Sequence, residues 1–324
     1  MDVGRVTETA MVNEMVHVDL DLIRSFVDDC RLRGYSPETI RSHRSNIRTA
    51  ARFLKKRAIG FTDLDKEGLR QLLDYLKNDR KVSTKTLDMY FTALSSFYEY
   101  LVFEEIIENN PIPSFRKRYL TKYKNYKPGA QRKLLSVEDM SRLINGTLEI
   151  RDRALMAVLA KTGVRRGELI SMDVDDIDWE NGRVKLKGKN KRSNLYVYFD
   201  DETAILLGRW LRVREGYAAP GERALFVGDK GKRIGRNMVY RVVTGHAERL
   251  GLHDPSSPRL EDHFSPHCFR HWFTTHLRRN GLSREFIKEL RGDSRGEAID
   301  IYDHIDHDEL RKAYLAAIPR LGVT

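Results

Sequence analysis

The first third of the chain carries apolar residues at the three- and four-residue spacing of amphipathic helices, and nowhere sustains a two-residue alternation. This pattern, from Asp19 to about Asn110, predicts a helical unit. Ser36 before Pro37 predicts a helix start, because serine accepts a bond from an unpaired amide and proline lacks that donor. Ser83 predicts another start. The apolar stripe that follows it is wide enough to need partner helices, and comprises Leu87, Tyr90, Phe91, Leu94, Phe97, Tyr98 and Leu101.

The second half of the chain mixes helical patterns with two short strand patterns. Residues 150–169 have helical periodicity with a glycine interruption, and residues 306–318 have it behind a capping Asp or His. Residues 183–187 and 194–199 alternate like strands on either side of the turn Gly188-Lys189-Asn190. The sequence therefore predicts a mostly α protein with a small antiparallel β-sheet in its second domain.

Changes in composition predict four segments. These are an N-terminal extension (1–18), a helical domain (19–113), a basic linker (114–133) and a second domain (134–324). The linker has no acid, has Pro128-Gly129 to break a helix, and carries Arg116, Lys117, Arg118, Lys122, Lys124, Lys127, Arg132 and Lys133. A like-charged linker stays extended and would be stabilised along a phosphate backbone, whereas without DNA it would be a solvated tether.

The net charge favours a polyanionic partner. The 324 residues include 58 Lys and Arg against 47 Asp and Glu, a net charge of +11. One helix concentrates this charge, since the stretch from Thr39 to Gly60 contains no acid and its basic residues recur at helical spacing. We expect phosphate contact here, with an ordinary solvated face as the alternative. The candidate DNA-contact residues are Arg41, Arg44, Arg48, Arg52, Lys55, Lys85, Arg116, Lys117, Arg118, Lys122 and Lys124.

Other protein classes are disfavoured by the composition. Cys30 and Cys268 are too few for a disulfide framework or a four-thiolate zinc site. Charged residues interrupt the first twenty positions, which disfavours a signal peptide, and the longest apolar run, Ala154 to Ala160, is far shorter than a membrane span. We therefore expect a cytoplasmic protein, or a nuclear one if the cell has a nucleus, with no membrane partner; binding to DNA would associate it with the nucleoid.

Four separated segments contain candidate catalytic residues, and the first two are weak signals alone. In residues 162–169, Arg165 lies just after a glycine that interrupts a helix, a pattern that usually marks a helix end stabilised by cations. In residues 185–192, Lys189 lies at a hairpin turn, where lysines are usually solvated. These two segments gain meaning only in combination with the others.

The third and fourth segments are more informative. In Ser265–Leu277, His267 and Arg270 share a helical face, opposite a buried face of Phe269, Phe273 and Leu277. His267 and His271 have zinc-ligand spacing but lack the acid of His-Glu-x-x-His, so a structural role for His271 or His276 is the commoner outcome. The fourth segment, residues 290–305, ends in Ile-Tyr-Asp-His-Ile and contains Tyr302, which alone would be typical of a half-buried core residue.

These four segments, in this order, resemble the catalytic domain of tyrosine recombinases, including phage integrases and Xer-type resolvases. The helical N-terminal part is similar to that family's core-binding domain, so the resemblance covers nearly the whole chain and implies a two-domain, C-shaped DNA clamp. Matching the motifs implies catalytic roles for Arg165, Lys189, His267 and Arg270, with Tyr302 as nucleophile. The implied activity is site-specific cutting and rejoining of DNA through a 3′-phosphotyrosyl bond, with no metal, ATP or other cofactor.

One catalytic position departs from the family. The family usually has Leu-Gly-His nine residues before the tyrosine, and this chain has Arg-Gly-Asp, which places Asp293 there. The departure resembles divergent archaeal or viral branches. An ionised carboxylate cannot donate a hydrogen bond to phosphate. Either another donor replaces the histidine, with Arg291, Arg295 and His304 as candidates, or Asp293 orients one.

The resemblance also implies partners and leaves alternatives. It implies double-stranded DNA, a homotetramer on two DNA sites, a monomer or weak oligomer without DNA, and an accessory DNA-bending protein as a candidate. The terminal helix would dock onto a neighbouring protomer, or simply pack on its own domain. Two other functions fit the same motifs: a catalytically impaired DNA-binding protein of this fold, with Asp293 as the lesion, and a type IB topoisomerase.

Overall fold

The chain divides into two compact units, residues 1–127 and 128–324, and each has its own hydrophobic core. The computed structural model describes residues 19–120, 133–188, 194–293 and 305–323. The division between the units lies inside the segment 114–133. Among the described residues, no helix is long and apolar enough to cross a membrane.

The first unit is helical, as its periodicity predicts. Its helices are α1 (19–32), α2 (Pro37–Lys55), α3 (Lys66–Asp74) with a π-helical turn at Tyr75–Asp79, α4 (Thr84–Phe103) and α5 (Ile112–Tyr119). The predicted caps are confirmed, since the hydroxyl of Ser36 accepts from the Thr39 amide at 3.1 Å and that of Ser83 from the Thr86 amide at 3.2 Å. The apolar stripe of α4 is buried and packs on α2.

Helix α5 corrects the predicted linker. The expected extended segment begins at Ser114, but residues 114–119 are helical and belong to the first unit. Ile112 and Phe115 are buried, and the Phe115 ring stacks on that of Phe91 with centroids 5.4 Å apart. Three-residue apolar spacing after Pro111 therefore outweighs the charge run, because burial of these side chains stabilises a helix that local charge disfavours.

The second unit is a helical domain with a small sheet, as predicted. Its helices are α6 (Val137–Asn145), α7 (Ile150–Thr162), α8 (Arg166–Ser171), α9 (Asp201–Arg214), α10 (Arg236–Arg249), α11 (Pro266–Arg279), α12 (Arg284–Arg291) and α13 (His307–Ala317). Strands β1 (Ile177–Asp178), β2 (Arg183–Lys185) and β3 (Tyr196–Tyr198) form an antiparallel sheet in that order. Every residue of α7 from Ala154 to its end is buried, because α9 and α11 cover different sides of it.

The terminal helix α13 packs on its own unit. Leu310, Tyr314 and Ala317 are buried in the core, and the Tyr314 hydroxyl donates to the carbonyl oxygen of Lys161 at 2.8 Å. The following residues are also tied down, since the Glu202 carboxylate accepts from three successive amides, those of Leu321, Gly322 and Val323. Of the two predicted placements for this helix, the structure shows packing on its own domain.

Candidate active site

Arg165 is placed by a forced turn between α7 and α8. Helix α7 ends at Gly163, whose φ of +61° lies in the left-handed region that favours glycine. A Cβ at this position would lie 2.3 Å from a ring carbon of Phe273, so the close packing of α11 also requires glycine. Arg165 follows as the N-terminal cap of α8, just beyond the predicted break, with its side chain 47% exposed.

Glu168 holds Arg165 from within the same helix. One carboxylate oxygen of Glu168 accepts from the Arg165 backbone amide at 2.7 Å, and the other accepts from its guanidinium Nη1 at 3.0 Å. Glu168 lies within the predicted motif of residues 162–169, but its sequence position alone predicts no role. The three-residue spacing between a cap position and an acid is the signal for this contact.

Helix α11 presents Arg270 deep in the protein and His267 at the surface. Ser265 and Pro266 begin the helix, as predicted. Arg270 is only 4% exposed, and its Nη1 donates to the carbonyl oxygen of Gly163 at 2.8 Å. His267 lies one turn earlier and is exposed. The two side chains therefore differ in burial along the predicted helical face, with Arg270 buried and His267 exposed.

The other histidines of α11 differ from each other in environment. His271 is exposed, and its ring centroid lies 4.8 Å from that of His267. His276 is buried, with its Nε2 3.2 Å from the carbonyl oxygen of Leu135, and burial lowers its pKa. This confirms the expected structural role, for His276.

Asp293 joins the two arginines. Its Oδ1 accepts from Nη2 of Arg270 at 3.0 Å and from Nη2 of Arg165 at 3.3 Å. Its other oxygen, Oδ2, lies 3.0 Å from Nε of Arg291. Three guanidinium groups therefore surround one carboxylate, and Arg165 and Arg270 come together although 105 positions separate them.

The pKa of Arg270 reflects the charges around it in this cluster. Burial lowers the pKa of its guanidinium to about 10, and the positive charges of Arg165 and Arg291 act in the same direction. Asp293 opposes them by favouring the protonated form. The site thus concentrates positive charge in a partly desolvated place, where an anion binds strongly.

A cleft of about 340 Å³ opens onto Arg165 and Arg270. It brings together Arg165, His267 and Arg270 from the predicted set, with the lining completed by Val164, Arg166, Gly167, Arg236, Tyr240, Ser265 and Pro266. Arg236 and Tyr240 are not among the residues predicted from the sequence. The only sequence signal for them is their place in α10, since Arg236 begins this helix and Tyr240 follows one turn later. Lys189 and Tyr302 lie outside the described residues.

The basic ridge predicted on α2 is exposed in the first unit. All five of its residues face solvent: Arg41, Arg44, Arg48, Arg52 and Lys55. Lys85, Lys117 and Arg118 are exposed as well, but Arg116 is half-buried and its Nη2 lies 2.8 Å from Asp88 Oδ1. Arg116 is thus already paired within the protein. Lys122 and Lys124 lie outside the described residues.

Comparison with known families agrees with the fold and the site. The model of the phage integrase family matches residues 133–309, and that of the phage integrase N-terminal SAM-like domain matches residues 22–108. The chain is 30% identical over 295 residues to the tyrosine recombinase XerC of Herpetosiphon aurantiacus, covering 88% of this chain and 90% of the relative. Identity to XerC of Vibrio parahaemolyticus is 30% over 294 residues, 89% of each chain. The chain belongs to the phage integrase family and is a site-specific tyrosine recombinase.

Solved structures share the fold. The XerH site-specific recombinase in its pre-cleavage complex with difH DNA aligns with a TM-score of 0.62 and 20% identity, over 87% of this chain and 80% of that one. The Tn1549 transposon integrase in complex with a circular intermediate DNA gives a TM-score of 0.65 and 17% identity, over 90% of this chain and 98% of that one. Both neighbours are recombinases bound to DNA.

Proposed function

We propose that this recombinase cuts and rejoins DNA through a 3′-phosphotyrosyl bond formed by Tyr302, at a phosphate held by Arg165 and Arg270. The supporting observation is the convergence of these two guanidinium groups, whose Nη2 atoms reach the same carboxylate oxygen. His267 lines the same cleft. A phosphodiester suits this charge arrangement, because guanidinium groups keep their charge and donate strong hydrogen bonds to phosphate oxygens.

The reaction is a transesterification. The Tyr302 oxygen attacks the phosphorus and the bond from phosphorus to the 5′ oxygen breaks, so one phosphodiester is exchanged for another and no ATP is consumed. Negative charge increases on the non-bridging oxygens in the transition state. Arg165 and Arg270 stabilise that charge, which makes a divalent metal unnecessary for the step.

Two protons must move in each cleavage. The tyrosine hydroxyl loses one, and the departing 5′ oxygen gains one. His267 accepts the first or donates a hydrogen bond to the phosphate, and Lys189 supplies the second, because an ammonium group among other cations gives up its proton more readily than an isolated one. The assignments of Lys189 and Tyr302 rest on the family motifs alone.

DNA binding would use both units. In the first unit, the exposed ridge of α2 is suited to phosphate contact, since its arginines lie on one helical face. Each phosphate that they neutralise would release counterions from the DNA, which favours binding. Arg116 contributes less in this proposal because it pairs with Asp88. We further propose a homotetramer on two DNA sites, with an accessory DNA-bending protein as a candidate partner. Because α13 packs on its own unit, its exchange between protomers would require its release.

The covalent intermediate is the direct test. The protein is incubated with nicked suicide DNA that carries the native flanking sequence of the gene, with and without EDTA, and the products are separated on a denaturing gel. We expect a protein–DNA adduct in both conditions, its loss in Tyr302→Phe, and retained DNA binding by that variant. Tyr217→Phe, at an exposed tyrosine that does not line the cleft, is the control and should form the adduct.

The outcomes distinguish the competing functions. An adduct with Tyr302→Phe would show that the nucleophile is another residue. A strict requirement for a divalent metal would contradict the proposal that Arg165 and Arg270, here called the arginine clamp, stabilise the transition state without one. No adduct with the unmodified protein would favour the impaired DNA-binding alternative. A supercoiled plasmid without a recognition site separates the topoisomerase alternative, since a topoisomerase relaxes it and a site-specific recombinase leaves it largely supercoiled.

A further inference from the structure

Asp293 accepts hydrogen bonds from both arginines that we propose hold the phosphate. The Nη2 atoms of Arg165 and Arg270 both donate to its Oδ1, at 3.3 and 3.0 Å. Oδ1 of Asp293 thus accepts one hydrogen bond from each guanidinium group. A non-bridging phosphate oxygen held by the same two arginines would accept the same pair of hydrogen bonds. The carboxylate therefore uses donors that the substrate needs.

The backbone holds Asp293 firmly. Helix α12 ends at Gly292, which adopts the left-handed conformation with φ of +59°. The Asp293 amide then donates to the carbonyl oxygen of Lys288 at 3.1 Å, which closes the turn. Arg270 is fixed to the same turn, because its Nη2 also donates to the carbonyl oxygen of Arg291 at 2.9 Å.

Arg165 is the more exposed partner in this arrangement. Its side chain is 47% exposed, against 5% for Arg270 and 29% for Asp293. A long, half-exposed arginine has many rotamers, and ordering it costs conformational entropy. Glu168 holds Nη1 of this guanidinium at 3.0 Å, and the short carboxylate of Asp293 adds the contact to Nη2 that makes it converge with Arg270.

The carboxylate also compensates like charges. Arg165 and Arg291 both act to lower the pKa of Arg270, so the three guanidinium groups repel one another, and the charge of Asp293 offsets that repulsion. The same negative charge repels an incoming phosphate. Asp293 thus favours the geometry of the clamp and opposes its occupation by an anion.

We propose that Asp293 is a positioning residue that holds Arg165 and Arg270 in convergent geometry before DNA binds, at the expense of the affinity of the clamp for phosphate. This inference rests on the proposed role of the two arginines. Under this proposal, the aspartate that replaces the family's usual histidine has a function and is not a defect of the site. Pre-oriented donors raise the rate of the bound complex, because the two guanidinium groups need not be ordered during the chemical step.

The test compares Asp293→Asn and Asp293→Ala with the unmodified protein. The asparagine retains an oxygen that accepts from the guanidinium groups and removes the charge, whereas alanine removes both. The control is Asp262→Asn, because Asp262 has a side chain 27% exposed and lies 3.0 Å from Nε of Arg259, outside the cleft lining. Two quantities are measured: the affinity for inorganic phosphate by calorimetry without DNA, and the rate and DNA half-saturation of single-turnover cleavage of the suicide substrate.

The phosphate titration decides the inference whether or not cleavage occurs. We expect Asp293→Asn to bind inorganic phosphate roughly tenfold more tightly, because a like charge is removed, and Asp262→Asn to match the unmodified protein. Unchanged or weaker phosphate binding by Asp293→Asn would overturn the inference. An unmodified protein that binds phosphate but forms no adduct would overturn the proposed function instead.

Cleavage supplies the readout that a purely structural role would not produce. We expect Asp293→Ala to lower the maximal rate about a hundredfold without raising the DNA concentration for half-saturation, and Asp293→Asn to recover part of that loss. Equal rates for the unmodified protein and both variants would refute the positioning role. A rate loss accompanied by a matching fall in thermal stability, absent in Asp262→Asn, would assign Asp293 to the fold alone and so overturn the proposal.

Discussion

Nη1 of Arg270 lies 2.8 Å from the carbonyl oxygen of Gly163, a residue 107 positions earlier in the chain. The contact joins the end of α7 to the second turn of α11. It depends on glycine, because the left-handed backbone conformation directs the carbonyl to Arg270 and the Phe273 ring leaves no room for a side chain.

Gly163→Ala should therefore destabilise the second unit. Backbone strain and overlap with Phe273 together predict a loss of about 2–4 kcal/mol in the free energy of unfolding. Urea denaturation measures it. The control is Gly208→Ala in α9, where a Cβ would meet no atom within 4 Å and alanine should stabilise the helix by up to about 1 kcal/mol. Equal midpoints for the two variants would contradict the packing argument.

Glu168→Gln should slow DNA cleavage. The carboxylate bonds both the backbone and the guanidinium of Arg165, and the amide loses the ionic part of the second contact. We expect the single-turnover rate of adduct formation to fall roughly tenfold to a hundredfold, with DNA binding little changed. Glu180→Gln, at an exposed turn residue, is the control. A rate equal to that of the control would show that Arg165 needs no such support.

His253 should make the second unit sensitive to acid. Its Nδ1 accepts from the Phe264 amide at 3.1 Å in a site that is 6% exposed, which requires the neutral ring. Burial lowers its pKa in the folded state, and the neighbouring His263 adds to this effect. The unfolded chain binds this proton near pH 6.5, so the stabilisation is complete above that pH and is lost progressively below it.

The measurement is the free energy of unfolding between pH 5 and pH 8. Each histidine that protonates only on unfolding contributes a slope of up to about 1.4 kcal/mol per pH unit. His253→Asn retains an acceptor for the Phe264 amide and should show a shallower slope below pH 6.5 than the unmodified protein. An unchanged slope would mean that other groups, such as buried His276, account for the acid sensitivity.

Lys161→Met should destabilise the second unit and release its C-terminal residues. The ammonium group is fully buried and bonds Asp200, Glu202 and the carbonyl oxygen of Pro319 at 2.5, 2.5 and 2.7 Å. Removing it leaves two buried carboxylates uncompensated, a cost of about 3–5 kcal/mol. Denaturation measures the stability, and hydrogen exchange at residues 321–323 measures the release.

The matched control for this cluster is an exposed ion pair beside it. Arg320 binds both oxygens of Asp201 at 2.7 and 3.0 Å, with both side chains more than 60% exposed, and only Nε of Arg320 approaches the cluster, 3.9 Å from Oε1 of Glu202. Because solvent screens such a pair, Arg320→Ala should change stability much less than Lys161→Met. Comparable losses in the two variants would show that burial is not the reason for the effect.

The sequence alone determined the elements and the family of this protein. Helix starts at Ser36 and Ser83 were predictable because capping is a local interaction between residues within one turn, and the start after Ser265 because Pro266 suits the first helical position. Alternation around one hairpin predicted β2 and β3 but not the two-residue strand β1, and the four motif segments together indicated the recombinase family. These features depend on residues that are close in the chain or that match a known pattern.

Tertiary structure decided how the candidate site is assembled. Sequence spacing could not reveal that Asp293 binds both arginines, that Gly163 holds Arg270, or that Arg236 and Tyr240 line the cleft, because these contacts join residues far apart in the chain. Long-range packing also converted part of the predicted linker into α5. Burial of a few apolar side chains outweighs local charge, and only the folded chain shows which side chains are buried.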